Sequence, residues 1–170
     1  LCDYNIATVD EKEVFVLGSE STSIGGTDSF FHVVSLPASA SSTLTFSYRF
    51  LSHDIADFDH FHVSLTDIAG LNVLEDILNI GNLNSDDFNY DTGWISLNRG
   101  LTHLAGQTFR ILFSLTDTGD GDNYNSYVFF NDIVFSTLDN RIGETSTVNF
   151  LTTDLGSEII DTPSEIPLTT

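Results

Sequence analysis

Apolar and polar residues alternate along three stretches of the chain, and a period of two is typical of half-buried β-strands. The alternating stretches are Thr43–Ser52, His60–Thr66 and Gln107–Thr116. In the first of them Leu44, Phe46, Tyr48 and Phe50 share one face, and polar residues occupy the other. We therefore expect three strands that each bury one face in a common core.

Several shorter segments rich in β-branched and aromatic residues predict further strands. They are Glu13–Leu17, Phe30–Leu36, Gly93–Asn98, Ser126–Phe135 and Ser146–Thr152. Leu71–Ile80 fits either a strand or one face of a helix, and its context favours a strand. About eight or nine short strands with turn residues between them predict an all-β fold, a two-sheet β-sandwich that is jelly-roll-like.

A length of 170 residues suits one domain with a sizeable core. We assign residues 1–152 to the sandwich. Residues 153–170 lose the alternating pattern and contain two prolines, so we expect an extended C-terminal tail.

Composition points to a location outside the cell. No apolar run approaches the roughly 18 residues that cross a bilayer, so we expect no membrane insertion. The sequence starts at Leu1 and contains no Met, which we interpret as removal of a signal peptide, with a trimmed chain as the alternative. Cys2 is the single cysteine, which excludes an internal disulfide.

The net charge of −20 arises from 25 acidic and 5 basic residues. Such a charge excludes nucleic acid as a partner, because phosphate binding needs a basic surface. It also opposes compaction by self-repulsion. High salt or bound divalent cations relieve this repulsion, and both indicate an extracellular or cell-surface setting.

Calcium is the predicted cofactor, because it binds six to eight oxygen ligands that include carboxylates. An acidic loop at 117–125 leads directly into the predicted strand Ser126–Phe135, and other acidic loops converge on it if they share one end of a sandwich. The predicted ligands are Asp28, Asp57, Asp59, Asp120, Asp122 and Asp132. The spacing does not fit an EF-hand. The alternative is that these acids are solvated turn formers.

Three aromatic residues are candidates for a sugar-binding platform. Tyr90 and Tyr124 lie in predicted loops, and Trp94 opens a short strand. The alternative for Trp94 is packing in the core. His60 and His62 share a strand face and could reach a transition metal, but polar residues on an exposed sheet face are the preferred interpretation. No hydrolase or phosphate-binding motif is present, so we expect no enzyme activity.

The order of these motifs resembles that of the jelly-roll ectodomains of exported bacterial proteins of the PEP-CTERM or choice-of-anchor type. The resemblance is carried by Thr43–Phe50, Asp57–Leu65, Thr92–Leu97, Leu104–Asp117 and Asn125–Val134. The sequence departs from that pattern at Asn125, where Asp is usual, and in the order Asn131-Asp132, and no sorting signal follows. The resemblance implies an exported jelly roll, related in style to calcium-containing carbohydrate-binding jelly rolls.

Together these observations predict a secreted, calcium-stabilised, non-enzymatic β-sandwich. We expect it to act as a structural or adhesive subunit of a cell-surface layer, extracellular matrix or filament, assembling by strand exchange through a terminus. Its expected partners are further copies, other surface proteins or glycans. The alternative is a carbohydrate-binding module, and a hydrolase is a more distant third.

Overall fold

The computed structural model describes residues 5–18, 26–52, 59–81, 90–117 and 126–150. This part of the chain contains eleven β-strands and one 3₁₀ turn, Thr102–Leu104. The strands are β1 (Asn5–Val9), β2 (Lys12–Leu17), β3 (Gly26–Ser35), β4 (Ala40–Ser52), β5 (Asp59–Thr66), β6 (Val73–Gly81), β7 (Tyr90–Asp91), β8 (Ile95–Gly100), β9 (Thr108–Asp117), β10 (Ser126–Asp139) and β11 (Glu144–Asn149).

The strands form two antiparallel sheets. Sheet A has the order β1-β2-β10-β4-β7, with β8 also paired to β4 and β11 to β10, and sheet B has the order β3-β9-β5-β6. Without the flanking β1, β7 and β11, the sheets are β2-β10-β4-β8 and β3-β9-β5-β6. This is the strand order of an eight-stranded jelly roll. The all-β, jelly-roll-like sandwich predicted from the sequence is confirmed.

The core lies between the sheets and is built from the apolar faces of the alternating strands. On the inward face of β4, Leu44, Phe46, Tyr48 and Phe50 are at most 3% exposed, and the inward-facing apolar residues of β5 and β9 are buried as well. Phe130 of β10 lies among rings from both sheets, with centroids 5.5 to 6.2 Å away. The rings are those of Phe15, Phe30, Phe61 and Phe113. Most of these pairs are edge-to-face, the favourable arrangement for aromatic rings.

Several boundaries differ from the sequence-based prediction. Asp28 and Asp59 lie within strands rather than in loops, and β10 continues beyond Phe135 to Asp139. The ambiguous segment is the strand β6, which pairs with β5 through two irregular steps. These steps disturb the period of two and explain why the segment also fitted a helix.

One side of the sandwich is bridged by Glu75 of β6. Its carboxylate accepts hydrogen bonds from Arg99 of β8 and from His103 Nε2, the latter at 2.8 Å. The bridge joins sheet B to sheet A at the edge where β6 ends the sheet.

Within the described ranges, no helix is long and apolar enough to cross a membrane. The predicted tail, residues 153–170, lies outside those ranges, so this domain boundary stays a prediction.

Candidate metal centre

Four connections between strands share one end of the sandwich, which we call the acidic end. In sheet A, Ser126 pairs with Ser52, which also pairs with Tyr90. In sheet B, Asp117 pairs with both Gly26 and Asp59. The connections 19–25, 53–58, 82–89 and 118–125 begin and end at these strand termini, and they themselves lie outside the described residues. Their sequences carry seven acids and no Lys or Arg: Glu20, Asp54, Asp57, Asp86, Asp87, Asp120 and Asp122.

Asp59 is a fully buried carboxylate at the acidic end. It is the first residue of β5 and is 0% exposed. The Ser126 hydroxyl, at the start of β10 in the other sheet, donates a hydrogen bond to Asp59 Oδ2. A buried charge is costly unless hydrogen bonds, opposite charge or a metal ion compensates it. Asp59 is therefore the strongest candidate ligand in the described part of the chain.

Close approach of the backbone helps to fix Ser126 in this position. Gly18, which follows β2, has a φ of 108°, and a Cβ atom there would lie 2.5 Å from the Ser126 carbonyl oxygen. Only glycine allows this contact without displacement of one of the two segments. The end of β2 is thus seated directly against the residue that contacts Asp59.

The backbone register of sheet B relates Asp59 to two further acidic positions. Asp117 is its cross-strand partner on β9. Asp28 lies on β3 opposite Leu115, two residues along from Gly26, and its side chain is exposed. The structure therefore brings Asp28 to the same end of sheet B as Asp59.

Asp132 lies on the outer face of sheet A, away from the acidic end. It follows an irregularity in β10 at Asn131, pairs with Ser47 and is exposed. Its side chain lies on the outer face of sheet A, because its neighbour Ile133 points into the core. Six residues of strand separate it from Ser126, a distance of roughly 20 Å. The structure does not bring Asp132 together with Asp59.

The remaining predicted ligands, Asp57, Asp120 and Asp122, and the predicted platform residue Tyr124 lie outside the described residues. Among the residues that are described, no group of three or more His, Cys, Asp or Glu side chains is close enough to hold a metal ion. The calcium site stays a prediction. Its described part consists of Asp59, Ser126 and Asp28.

A second polar cluster surrounds Trp94 on the outer face of sheet A. The indole Nε1 donates to Asp10 Oδ2 at 3.0 Å, and Arg49 Nη1 lies 3.2 Å from the same oxygen. Arg49 also binds Asp91 in a bidentate manner, at 3.0 and 2.7 Å. The hydrogen bond from Arg49 is the main cause of the lowered pKa of Asp91. Trp94 is half-buried and packs on this face, so the core position considered as its alternative is not what the structure has.

Tyr90 and Trp94 do not form one platform. Tyr90 packs on the core, where its ring makes an edge contact with Phe50 at a centroid distance of 6.1 Å. Trp94 instead donates a hydrogen bond to Asp10, which lies next to Arg49. Arg49 points to the outer face of sheet A, because its neighbours Tyr48 and Phe50 point into the core.

Three of the described histidines, His32, His62 and His103, have individual partners. His62 Nε2 lies 2.7 Å from Asp76 Oδ1, and the ring of His32 stacks on Phe150 at 4.1 Å. Burial lowers the pKa of His32. His103 bonds to Glu75. These contacts agree with structural roles and supply no set of three metal ligands within the described ranges.

The sequence-based reasoning missed three residues of these sites. Ser126 gave no signal, because a serine at a strand start is common. Asp10 and Asp91 reach Arg49 from positions 39 and 42 residues away in the chain. Such long-range pairs leave no local pattern. Comparison of the chain with models of known protein families and with curated proteins found no match.

Proposed function

We propose that the protein is a secreted, non-enzymatic jelly-roll unit that calcium stabilises at the acidic end, and that it serves as a structural or adhesive subunit at a cell surface. The buried carboxylate of Asp59 supports this proposal most directly. It lies at the acidic end, where the adjoining connections carry seven acids in their sequences, and calcium prefers carboxylate oxygens as ligands.

The distribution of charge supports a specific site over general acidity. The four connections at the acidic end carry seven acids in their sequences. The connections 36–39, 67–72, 101–107 and 140–143 carry only Asp67, and the β1–β2 turn carries Asp10 and Glu11. The excess of acids at one end supports a site there.

Calorimetric titration of the protein with CaCl2 tests the site. Two aspartate-to-asparagine substitutions are compared, one at Asp59 as the probe and one at Asp132 as the control. Asp59→Asn keeps the shape and the acceptor for Ser126 but removes the charge, so we expect the affinity for calcium to fall about tenfold or more. Asp132→Asn removes one charge on the outer face of sheet A, far from Asp59, and is expected to leave the affinity within about twofold. Equal effects of the two substitutions would reject the assignment.

Light scattering tests the structural role. A building unit is expected to self-associate when millimolar calcium lowers the repulsion between chains of net charge −20. A chain that stays monomeric with calcium bound would rule out self-assembly and leave binding to other surface molecules.

A carbohydrate-binding module is the second candidate, and the position of Trp94 favours it. Trp94 is a half-buried indole on the outer face of sheet A, and Arg49 and Asp91 are its polar neighbours. A glycan array with the wild type and with Trp94→Ala tests this role. Binding that the substitution abolishes would support it, and an array without any bound glycan would eliminate it.

A further inference from the structure

Arg110 differs from the other arginines in having no carboxylate partner within the described part of the chain. The others are paired: Arg49 with Asp91 and Asp10, Arg99 with Glu75, and Arg141 with Asp139. The guanidinium carbon of Arg110 lies 4.2 Å from the centroid of the Phe31 ring. Its Nε is buried and finds no hydrogen-bond acceptor among the described residues. In a chain with 25 acids, a guanidinium that has no carboxylate partner among the described residues suits a carboxylate that comes from elsewhere.

Exposed apolar residues lie on both sides of Arg110 in the row of cross-strand neighbours that runs across sheet B. Val33, Arg110, Thr66 and Val73 are successive cross-strand neighbours across the four strands. Val33 is 45% exposed and Val73 57% exposed. The row therefore presents apolar groups on both sides of one cation.

The turn between β5 and β6 extends this surface. A Cβ atom on Gly70 would lie 2.9 Å from Arg110 Nη1, so the turn touches the guanidinium. Two residues of the turn, Ile68 and Leu71, are exposed, Leu71 by 82%. Asp67 holds the turn through a bond from the Leu71 backbone N–H at 2.8 Å. The exposed side chains are thus presented on a turn that is already ordered.

We call this region the Arg110 surface, and it consists of Phe31, Val33, Ile68, Leu71, Val73 and Arg110. Exposed apolar patches mark interaction sites, and arginine and aromatic residues are enriched where binding energy concentrates. The complementary partner is a segment that combines apolar side chains with carboxylates.

We propose that the Arg110 surface binds the segment 151–170 of a second copy of this chain, an inference that rests on the proposed role as an assembling subunit. That segment contains four acids and no Lys or Arg. Its acids are Asp154, Glu158, Asp161 and Glu165, and its large apolar residues are Leu151, Leu155, Ile159, Ile160, Ile166 and Leu168. Its composition thus matches the single cation and its apolar surroundings.

The direction of the chain favours a second copy over the same molecule. β11 runs antiparallel to β10 and so travels towards the acidic end. Phe150 continues this path, with its N–H donating to the Ile133 carbonyl at 2.8 Å and its ring on His32. At Phe150, the last described residue, the chain still runs towards the acidic end, whereas the β5–β6 turn with Ile68 and Leu71 lies at the opposite end. This direction leads away from the turn, and binding of the segment within its own molecule is an outcome that the test distinguishes.

The edge of sheet B offers the incoming segment a backbone contact as well. Within the described residues β3 pairs with β9 alone, in a regular register of ten residue pairs. An open strand edge of this length can accept an added strand. A segment that pairs with β3 would lie beside Phe31 and Val33 and bring its acids near Arg110.

Mixing of two charge-reversed chains tests the proposal. One variant of the 170-residue chain carries Arg110→Glu, and the other carries lysine substitutions at Asp154, Glu158, Asp161 and Glu165. Light scattering in millimolar CaCl2 is expected to show association of the wild type, at least about tenfold weaker association of each variant alone, and recovery in the equimolar mixture. Recovery is expected because every surface then meets a segment of opposite charge. Lys12→Glu changes the net charge as Arg110→Glu does, and it should associate like the wild type.

Each other outcome overturns the inference in a recognisable way. Unchanged association of Arg110→Glu would reject the Arg110 surface while leaving the proposed function intact. Recovery only when both sets of substitutions are in one chain would show that the segment binds within its own molecule. A wild type that stays monomeric in calcium would reject both the inference and the assembling role. Circular dichroism of each variant, and the neutral substitution Arg110→Gln, separate lost contacts from lost folding.

Discussion

Arg49 holds two carboxylates on the outer face of sheet A, and one of them has a perturbed titration. The hydrogen bond from Arg49 keeps the pKa of Asp91 below its usual value of 3.8, and a bond from the Gly93 N–H acts in the same direction. The folded state therefore binds fewer protons at Asp91 than the unfolded state. Its contribution to stability is complete above the unfolded pKa and is lost as the pH falls through the folded one.

The lowered pKa of Asp91 in the folded state gives a pH-dependent prediction for Asp91→Asn. The substitution is expected to lower the free energy of unfolding by about 0.5–1 kcal/mol at pH 7, a value discounted for the partial exposure of the pair. The difference from the wild type should shrink as the pH falls through the lowered pKa of Asp91, because the wild-type side chain then becomes neutral, as asparagine is. Urea unfolding of the two chains at pH 7 and pH 2.5 measures it. A difference that stays constant with pH would contradict the assigned ion pair.

At the scale of single elements, β10 shows how one strand serves two surfaces. Phe129 and Phe130 are neighbours in sequence but point to opposite faces. Phe130 is 0% exposed among the rings of both sheets, and Phe129 is half-buried on the outer face, where it stacks on Tyr127.

Replacement of each by alanine separates the two environments. Phe130→Ala is expected to lower the free energy of unfolding by about 3–5 kcal/mol, because it leaves a cavity between the sheets. Phe129→Ala removes the same atoms from the outer face and should lower it by about 1 kcal/mol. Denaturant unfolding of both variants provides the comparison, and losses of equal size would show that the face assignment is wrong.

The β1–β2 hairpin is closed by two non-glycine residues with positive φ. Asp10 has a φ of 51° and Glu11 a φ of 65°. A two-residue hairpin turn with positive φ at both positions favours Asn or Asp followed by Gly. The Asp10 side chain contacts Arg49 and Trp94, whereas no ion pair or hydrogen bond of the Glu11 side chain is present in the described residues.

Glycine substitutions in this turn are therefore expected to have opposite effects. Glu11→Gly relieves the unfavourable backbone conformation, which should raise the free energy of unfolding by about 0.5–1 kcal/mol. The midpoint of thermal unfolding should rise accordingly. Asp10→Gly relieves the same kind of strain but loses the bonds to Arg49 and Trp94, so the midpoint should not rise. Calorimetry of both variants decides the matter, and stabilisation by Asp10→Gly would show that its contacts contribute little.

The elements also show which features a sequence can reveal. The strands around Phe46, Phe61 and Phe113 were predictable because alternation is a local property of the chain. β6 was ambiguous because its irregular pairing with β5 breaks the period of two. The bond between Ser126 and Asp59 joins residues 67 positions apart, and nothing in either local sequence announces it.

At the scale of the whole molecule, the jelly-roll topology gathers residues that are scattered in the sequence. The strand order brings the ends of β4, β5, β9 and β10 to one end of the sandwich. This strand order places the ends of the predicted acidic loops at a common end of the sandwich. Asp132 was predicted to join the same ligands because it follows the acidic stretch at 117–125 in sequence. In the structure it lies six positions along an extended strand from Ser126 and therefore far from that end.

The central claim is that calcium binds at the acidic end and stabilises the fold. Thermal unfolding with EDTA and with millimolar CaCl2, at matched ionic strength, tests it most directly, and MgCl2 serves as a control because magnesium demands a stricter geometry. Calcium at about 100 times its dissociation constant adds roughly 2.7 kcal/mol, which raises the midpoint by about 5–10 °C. We expect that rise with calcium and a smaller one with magnesium. Equal midpoints in EDTA and in calcium would contradict the account and leave the acids as a solvated surface.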